Sequence, residues 1–364
     1  MSAPRALRIY AGPVARAHIE RHGLRPQDVA VIPAAAGGPK GLILGPLDRF
    51  IFGQWLPQST QPVHLVGASI GAWRMATACL DDAVSAFERL EHDYIRQHYE
   101  LPPGQKRPTA QQVSETFGRN LEAFYGGRVD EVLNHPRYRL HILTSRGRHV
   151  LRREHGLLTP LGYLGAYAAN AVQRRALGAW LERVVFSTTP QALPFATQDF
   201  RTRALPLTAQ NFMPALQASC SIPFVLQAVH DIPGAPPGAY WDGGITDYHL
   251  HLDYRAAPAQ GGAGLVLYPH FQHNVVPGWL DKALKWRHAA TPFLERAIVL
   301  APDPDWVRTL PNAKLPDRTD FTHYGPNLAE RVQAWSTAVA AARQLAEEFA
   351  EWVVKGKSRQ VEPL

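Results

Sequence analysis

Cysteine is nearly absent: Cys79 and Cys220 are the whole complement in 364 residues. Two thiols supply neither a disulfide framework nor the thiolate set of a structural zinc site, and such usage fits a reducing compartment. Also missing is any apolar run approaching the roughly 18 residues that span a bilayer. The opening stretch, MSAPRALRIYAGPVARAHIE, lacks a sustained apolar core followed by a small-residue cleavage site, so no secretory signal is read there. No internal repeat or low-complexity tract occurs, and no long run of one charge sign forms a nucleic-acid arm. These absences lead to the expectation of a soluble, cytoplasmic chain without a nucleic-acid partner. The net charge of +7, from 38 basic and 31 acidic residues, suits an anionic lipid surface or nucleic acid and decides neither.

What is present is a large apolar fraction, 46% against 19% charged, enough for an extensive core. Short apolar, β-branched runs at 7–11, 29–35, 63–67, 139–144, 184–188, 264–268 and 297–300 read as buried strands. Helical spacing marks 71–98, 162–182 and 327–354; in the last, Leu328, Val332, Trp335, Val339, Leu345 and Phe349 share one face. Alternation of strand and helix predicts one three-layer α/β/α domain over 1–364, with a central, mainly parallel sheet and a C-terminal helical segment at 325–356. Pro- and Gly-rich stretches at 102–108, 231–238 and 302–316 read as loops.

Three motifs carry chemistry. Gly67-Ala68-Ser69-Ile70-Gly71 follows the strand-like VHLV and precedes a helical pattern. A serine nucleophile on a tight strand-to-helix turn needs small neighbours, and the following helix aims its N-terminal amides at developing negative charge. Upstream, Ala34-Ala35-Ala36-Gly37-Gly38-Pro39-Lys40-Gly41 forms a turn of small residues suited to an oxyanion. Gly37 and Gly38 are its candidate donors, since Pro39 has no N–H. A phosphate loop is a poor reading, because no Gly-Lys-Ser/Thr ending follows. The third motif is Asp242-Gly243-Gly244, which alone would be an ordinary turn.

In this order the three motifs resemble the patatin-like phospholipase family, with its glycine-rich oxyanion loop, Gly-x-Ser-x-Gly elbow and Asp-Gly-Gly or Asp-Gly-Ala motif. Ala218-Ser219-Cys220-Ser221-Ile222-Pro223 is similar to the Ala-Ser-x-x-x-Pro segment that precedes the family's Asp motif. The resemblance covers about 29–246. It departs at Ala35 and Ala36, which stand where the family loop opens with Asp-Gly, while Gly37, Gly38, Lys40 and Gly41 keep the rest. The resemblance implies a Ser-Asp dyad in which Asp242 activates Ser69 to attack an acyl ester, lipid esters above all. It implies a reaction through an acyl-enzyme, with no cofactor or metal.

Other readings stay open at this point. A Ser-His-Asp esterase would draw on His249, His251, His270, His273 or His323. A non-catalytic lipid- or partner-binding protein would fit the altered loop, and acyl transfer would replace water by another acceptor. Asp247, His249, His251 and Asp253 would share a face of an extended strand and could approach a metal, although a polar strand face or loop is the commoner meaning. Residues 277–290, PGWLDKALKWRHAA, read either as an interfacial amphipathic segment in peripheral membrane contact or, more commonly, as a solvent-facing helix with a packed Trp.

Overall fold

Each of the seven apolar runs becomes a strand. The computed structural model of the chain describes residues 4–100, 103–105, 107–259, 262–355 and 360–364. Its strands are β1 (Leu7–Ala11), β2 (Val29–Ala34), β3 (Val63–Ala68), β4 (Tyr138–Gly147), β5 (Leu181–Ser187), β6 (Thr202–Pro206), β7 (Val229–His230), β8 (Ala239–Asp242), β9 (Leu265–Pro269), β10 (Ala297–Pro302) and β11 (Glu362–Pro363). They form one sheet, nine of them in the order β11-β1-β10-β9-β2-β3-β4-β5-β6, with β8 paired to β4 and β7 to β8. The run β10-β9-β2-β3-β4 is parallel throughout, while β1 and β5 join it antiparallel.

Every residue of β2, β3, β5, β9 and β10 is buried. Successive side chains in a strand point to opposite faces, so full burial means that both faces are covered. The fold is a mixed α/β arrangement with a central, mostly parallel sheet flanked by helices.

The helical expectations are met with breaks. Residues 71–98 form two helices, Ile70–Thr77 and Ala83–Arg96, and Asp82 caps the second by accepting the Ser85 amide at 3.1 Å. The stretch 162–182 is shifted: a helix at Leu158–Val172 gives way to a 3-10 turn, Arg174–Ala179, and then to β5. The C-terminal segment divides into Leu328–Ala341 and Arg343–Lys355, and residue 356 lies outside the described residues. Of the expected loops, 231–238 connects β7 to β8, and 302–316 contains the short turns Pro304–Val307 and Pro311–Ala313. Residues 102 and 106 of the first loop are not among those described.

One register detail positions the site. Along one edge of β4, Ala68 of β3 pairs with Leu143, and Asp242 of β8 pairs with the next residue, Thr144. Because β8 runs antiparallel to β4 and β3 parallel, the two strands meet end to end. The residue after Ala68 is Ser69.

Candidate active site

The elbow begins where β3 ends. Ser69 turns to φ 56°, ψ −132° before the helix Ile70–Thr77. A non-glycine residue at positive φ costs on the order of 1–3 kcal/mol and persists only where its surroundings hold it. Here three contacts do so. A Cβ on Gly71 would overlap the Ala34 carbonyl oxygen and one on Gly67 the Ala72 backbone, so the helix lies directly against its own strand and the end of β2. The Ser69 amide donates to Ser219 Oγ at 3.0 Å, and that hydroxyl donates to the Leu143 carbonyl at 2.7 Å. Further along the helix, Arg74 grips Asp48 with two bonds of 2.7 and 2.8 Å, both side chains buried.

Ser69 Oγ donates to Asp242 Oδ2 at 2.7 Å, across 173 residues of chain. The other carboxylate oxygen, Oδ1, accepts the Gly244 amide at 2.7 Å. The Asp-Gly-Gly turn thus holds its own aspartate in place. Both side chains are nearly enclosed, with Ser69 6% and Asp242 5% exposed. Burial raises the Asp242 carboxyl to about 6; the bonds from Ser69 and Gly244, and the charges of Arg318 and Lys282, oppose that rise without cancelling it.

The glycine-rich loop leaves the sheet beside the elbow, because Ala34 of β2 pairs with Gly67 of β3. Gly38 sits at φ 57°, and neither its amide nor that of Gly37 makes a hydrogen bond among the described residues. The two N–H groups expected to serve an oxyanion are therefore unspent. Ala36 is committed otherwise: its amide donates to the Tyr248 carbonyl at 2.9 Å. Ala35 and Ala36 are buried, and the Ala36 methyl packs against Gly244, joining the loop to the aspartate turn.

Cations surround this arrangement. The Lys40 ammonium lies 5.4 Å from the centre of the Phe271 ring, and Lys282 sits 4.0 Å above Tyr248. The Arg318 side chain borders Gly38. Burial, reinforced by Lys40 and Arg318 and opposed by Asp242, lowers Lys282 to about 8. Reading the motifs in sequence finds none of Lys282, Arg318 and Tyr248, because all lie outside them. Ser219 was visible as part of the Ala-Ser-x-x-x-Pro segment, but its bridging role was not.

No histidine among the described residues hydrogen-bonds Ser69 or Asp242. His249 Nδ1 accepts the Val276 amide, His251 faces the Val275 carbonyl and Thr291, and His270 Nδ1 accepts the Gln272 amide. His273 stacks on Tyr10, and His323 is exposed beside Tyr324. Burial pushes His251 down to about 4 and His270 to about 3, which keeps both neutral.

The segment Asp247–Asp253 is not an extended strand but a helix end followed by loop, so its polar side chains part company. Asp247 is held by Arg183 and Arg174, and Asp253 by Arg255. No three His, Cys, Asp or Glu side chains among the described residues are grouped to hold a metal ion. Residues 277–290 form two separate 3-10 turns, Trp279–Asp281 and Lys285–Arg287, with Leu284 buried and Trp286 72% exposed. A cleft lined by Asp28, Gln61, His64 and Pro258 opens at the other end of β3, and contains no paired nucleophile and base.

No protein-family model matches the chain, and no curated protein matches it.

Proposed function

We propose that the chain is a serine acyl hydrolase of the patatin-like type, with a three-layer α/β/α domain carrying a Ser69–Asp242 dyad. The observation that carries this reading is the 2.7 Å bond from a strained, nearly buried Ser69 to a carboxylate raised to about 6. At neutral pH that group is mostly ionised, yet far more basic than an ordinary aspartate.

In the reaction, Ser69 Oγ attacks the carbonyl carbon of an acyl ester while its proton passes to Asp242 Oδ2. The Gly37 and Gly38 amides take the developing oxyanion, a contribution of about 10²–10³ in rate per donor in comparable sites. The proton on Asp242 then leaves with the departing alcohol as the C–O bond breaks, giving the acyl-enzyme. Water, deprotonated by the same carboxylate, attacks the acyl carbon; the acid is released and Ser69 regains its proton. The positive field of Lys40, Lys282 and Arg318 stabilises the negative charge formed in both halves. Every step uses the chain's own groups, and lipid acyl esters are the proposed substrates.

The test is hydrolysis of short- and long-chain nitrophenyl esters by the natural protein, Ser69→Ala and Asp242→Asn, each checked for folding. Loss of at least about 10³ in kcat in both folded variants is expected. Full activity in Asp242→Asn would refute the dyad. A natural protein with no turnover of any ester would leave a binding scaffold as the better account.

A further inference from the structure

Residues 156–172 contain no charged side chain. The helix they build, Leu158–Val172, buries Thr159, Gly162, Tyr163, Ala166 and Asn170 on one side. Its other side is not polar. Leu157 is 75% exposed, Leu161 62% and Leu164 65%, one turn apart along the same face. Phe224 (60% exposed) adds to this surface, its ring 6.0 Å from that of Tyr163. Of the thirteen large apolar side chains exposed among the described residues, nine lie on this helix or beside it. A helix that is apolar all round normally has both sides covered, and an exposed apolar area of this kind marks an interaction surface.

The surface adjoins the dyad. Tyr163 meets Trp241 edge-on at 6.0 Å, and Trp241 precedes Asp242. Trp279 and Leu280 pack into the same small cluster as Tyr163 and Ala166. The chain then passes through Lys282, over Tyr248, to exposed Lys285 and Trp286. Arg287 donates to the carbonyls of Asn170 and Ala171 at the helix C-terminus. Exposed Arg152 and Arg175 stand before and after the helix. The apolar face thus has exposed Arg152, Arg175 and Lys285 at its margins, three cations to the one exposed acid Glu154, while Arg287 is paired with Asp281.

We propose that this face docks the protein on an anionic lipid bilayer. Leucine and phenylalanine side chains would enter the acyl boundary, and the cations at the margins would meet the headgroups. A second copy of the chain fits less well, since a two-fold contact would set these cations against their own copies. That the bilayer also supplies the ester cleaved at Ser69 rests on the acyl-hydrolase reading; the docking does not.

The experiment is co-sedimentation of Ser69→Ala protein, which turns over no lipid, with phosphatidylcholine vesicles and with vesicles containing added phosphatidylglycerol. Binding to the mixed vesicles that weakens with salt is expected. Leu161→Asp with Leu164→Asp should lower the partition coefficient at least about tenfold. Leu157→Asp, at the exposed N-terminal end of the helix, provides a second variant that leaves the packed side untouched. Arg152→Gln should reduce binding about fivefold on the mixed vesicles and little on phosphatidylcholine alone. Near-ultraviolet circular dichroism verifies folding. Failure of the unsubstituted surface to bind either vesicle, or equal binding by the leucine variants, overturns the proposal. So does a gel-filtration dimer that the leucine variants dissociate without any vesicle binding. Vesicle binding by a protein that hydrolyses no ester would keep the docking surface and refute the hydrolase; Ser69-dependent turnover of soluble esters without vesicle binding would do the reverse.

Discussion

In the proposed dyad, Asp242 has to be buried to be basic and ionised to take a proton, and the two demands conflict in stability. Its folded carboxyl, at about 6, lies above the ordinary value of 3.8 because burial penalises the charged form. The folded state therefore binds the proton more tightly than the unfolded chain. Below about pH 4 the group is protonated in both states and costs nothing. Stability is lost as pH rises from about 4 to about 6, and the full penalty, about 3 kcal/mol, applies above that. Asp242→Asn should consequently stabilise the protein by up to about 3 kcal/mol at pH 8 and by little at pH 4, read from urea unfolding at both. A gain independent of pH would refute the burial account. Activity runs the other way: kcat/KM should fall with a single-proton slope below about pH 6, where the base is protonated.

Single hydroxyls and amides fix the geometry of the closely packed elements around the proposed dyad. Ser219 ends the helix Phe212–Ser219 and ties the Ser69 amide to the Leu143 carbonyl, linking β3, β4 and that helix at one point. Ser219→Ala leaves a buried amide without its acceptor, which costs about 1–3 kcal/mol. It should also relax the positive φ of Ser69, so kcat should fall more than stability alone explains. A measured kcat unchanged beside a reduced urea midpoint would show that the elbow holds its geometry without this bridge. Ser69 and Asp242 meet through β8, whose four residues Ala239–Asp242 are all buried. A segment that short has no periodicity to read, so the sequence marks the aspartate only through its motif.

At the scale of the molecule, the turn carrying Asp242 is anchored by charge to β5, the strand on the other edge of β4. Arg183 on β5 and Asp247 are both fully buried, joined by bonds of 2.7 and 2.6 Å, and Arg183 also binds Asp199. Arg183→Met would leave Asp247 with only Arg174 at 3.4 Å. A loss of about 3–5 kcal/mol in urea unfolding is expected, largely recovered when Asp247→Leu is added, because the pair is costly to break but not to replace. No recovery in the double variant would mean that the pair also sets the fold of the turn.

The strands were legible because a sheet covered on both faces demands mainly apolar runs: β2, β9 and β10 are such runs, and β3 is broken only by His64. Gly67, Ser69 and Gly71 were legible because the close approach of the helix to its strand tolerates no side chain at either glycine. The short strands β6, β7, β8 and β11 were not, since pairing with a neighbour rather than their own pattern makes them strands. Apolar spacing marked a helix near residue 162, but periodicity cannot tell which side will be covered; that depends on what the rest of the chain brings against it. Lys40 stood in the glycine-rich loop motif, but its grouping with Lys282 and Arg318 was hidden for the same reason, each arriving from a different part of the chain. The sequence by itself determined the candidate groups, the nucleophile, the carboxylate and the free amides, because local backbone demands select their neighbours. Only the tertiary structure decided that Ala68 and Asp242 occupy successive positions along β4, for register is settled by the packing of the whole sheet. That register is what brings a hydroxyl within 2.7 Å of a carboxylate.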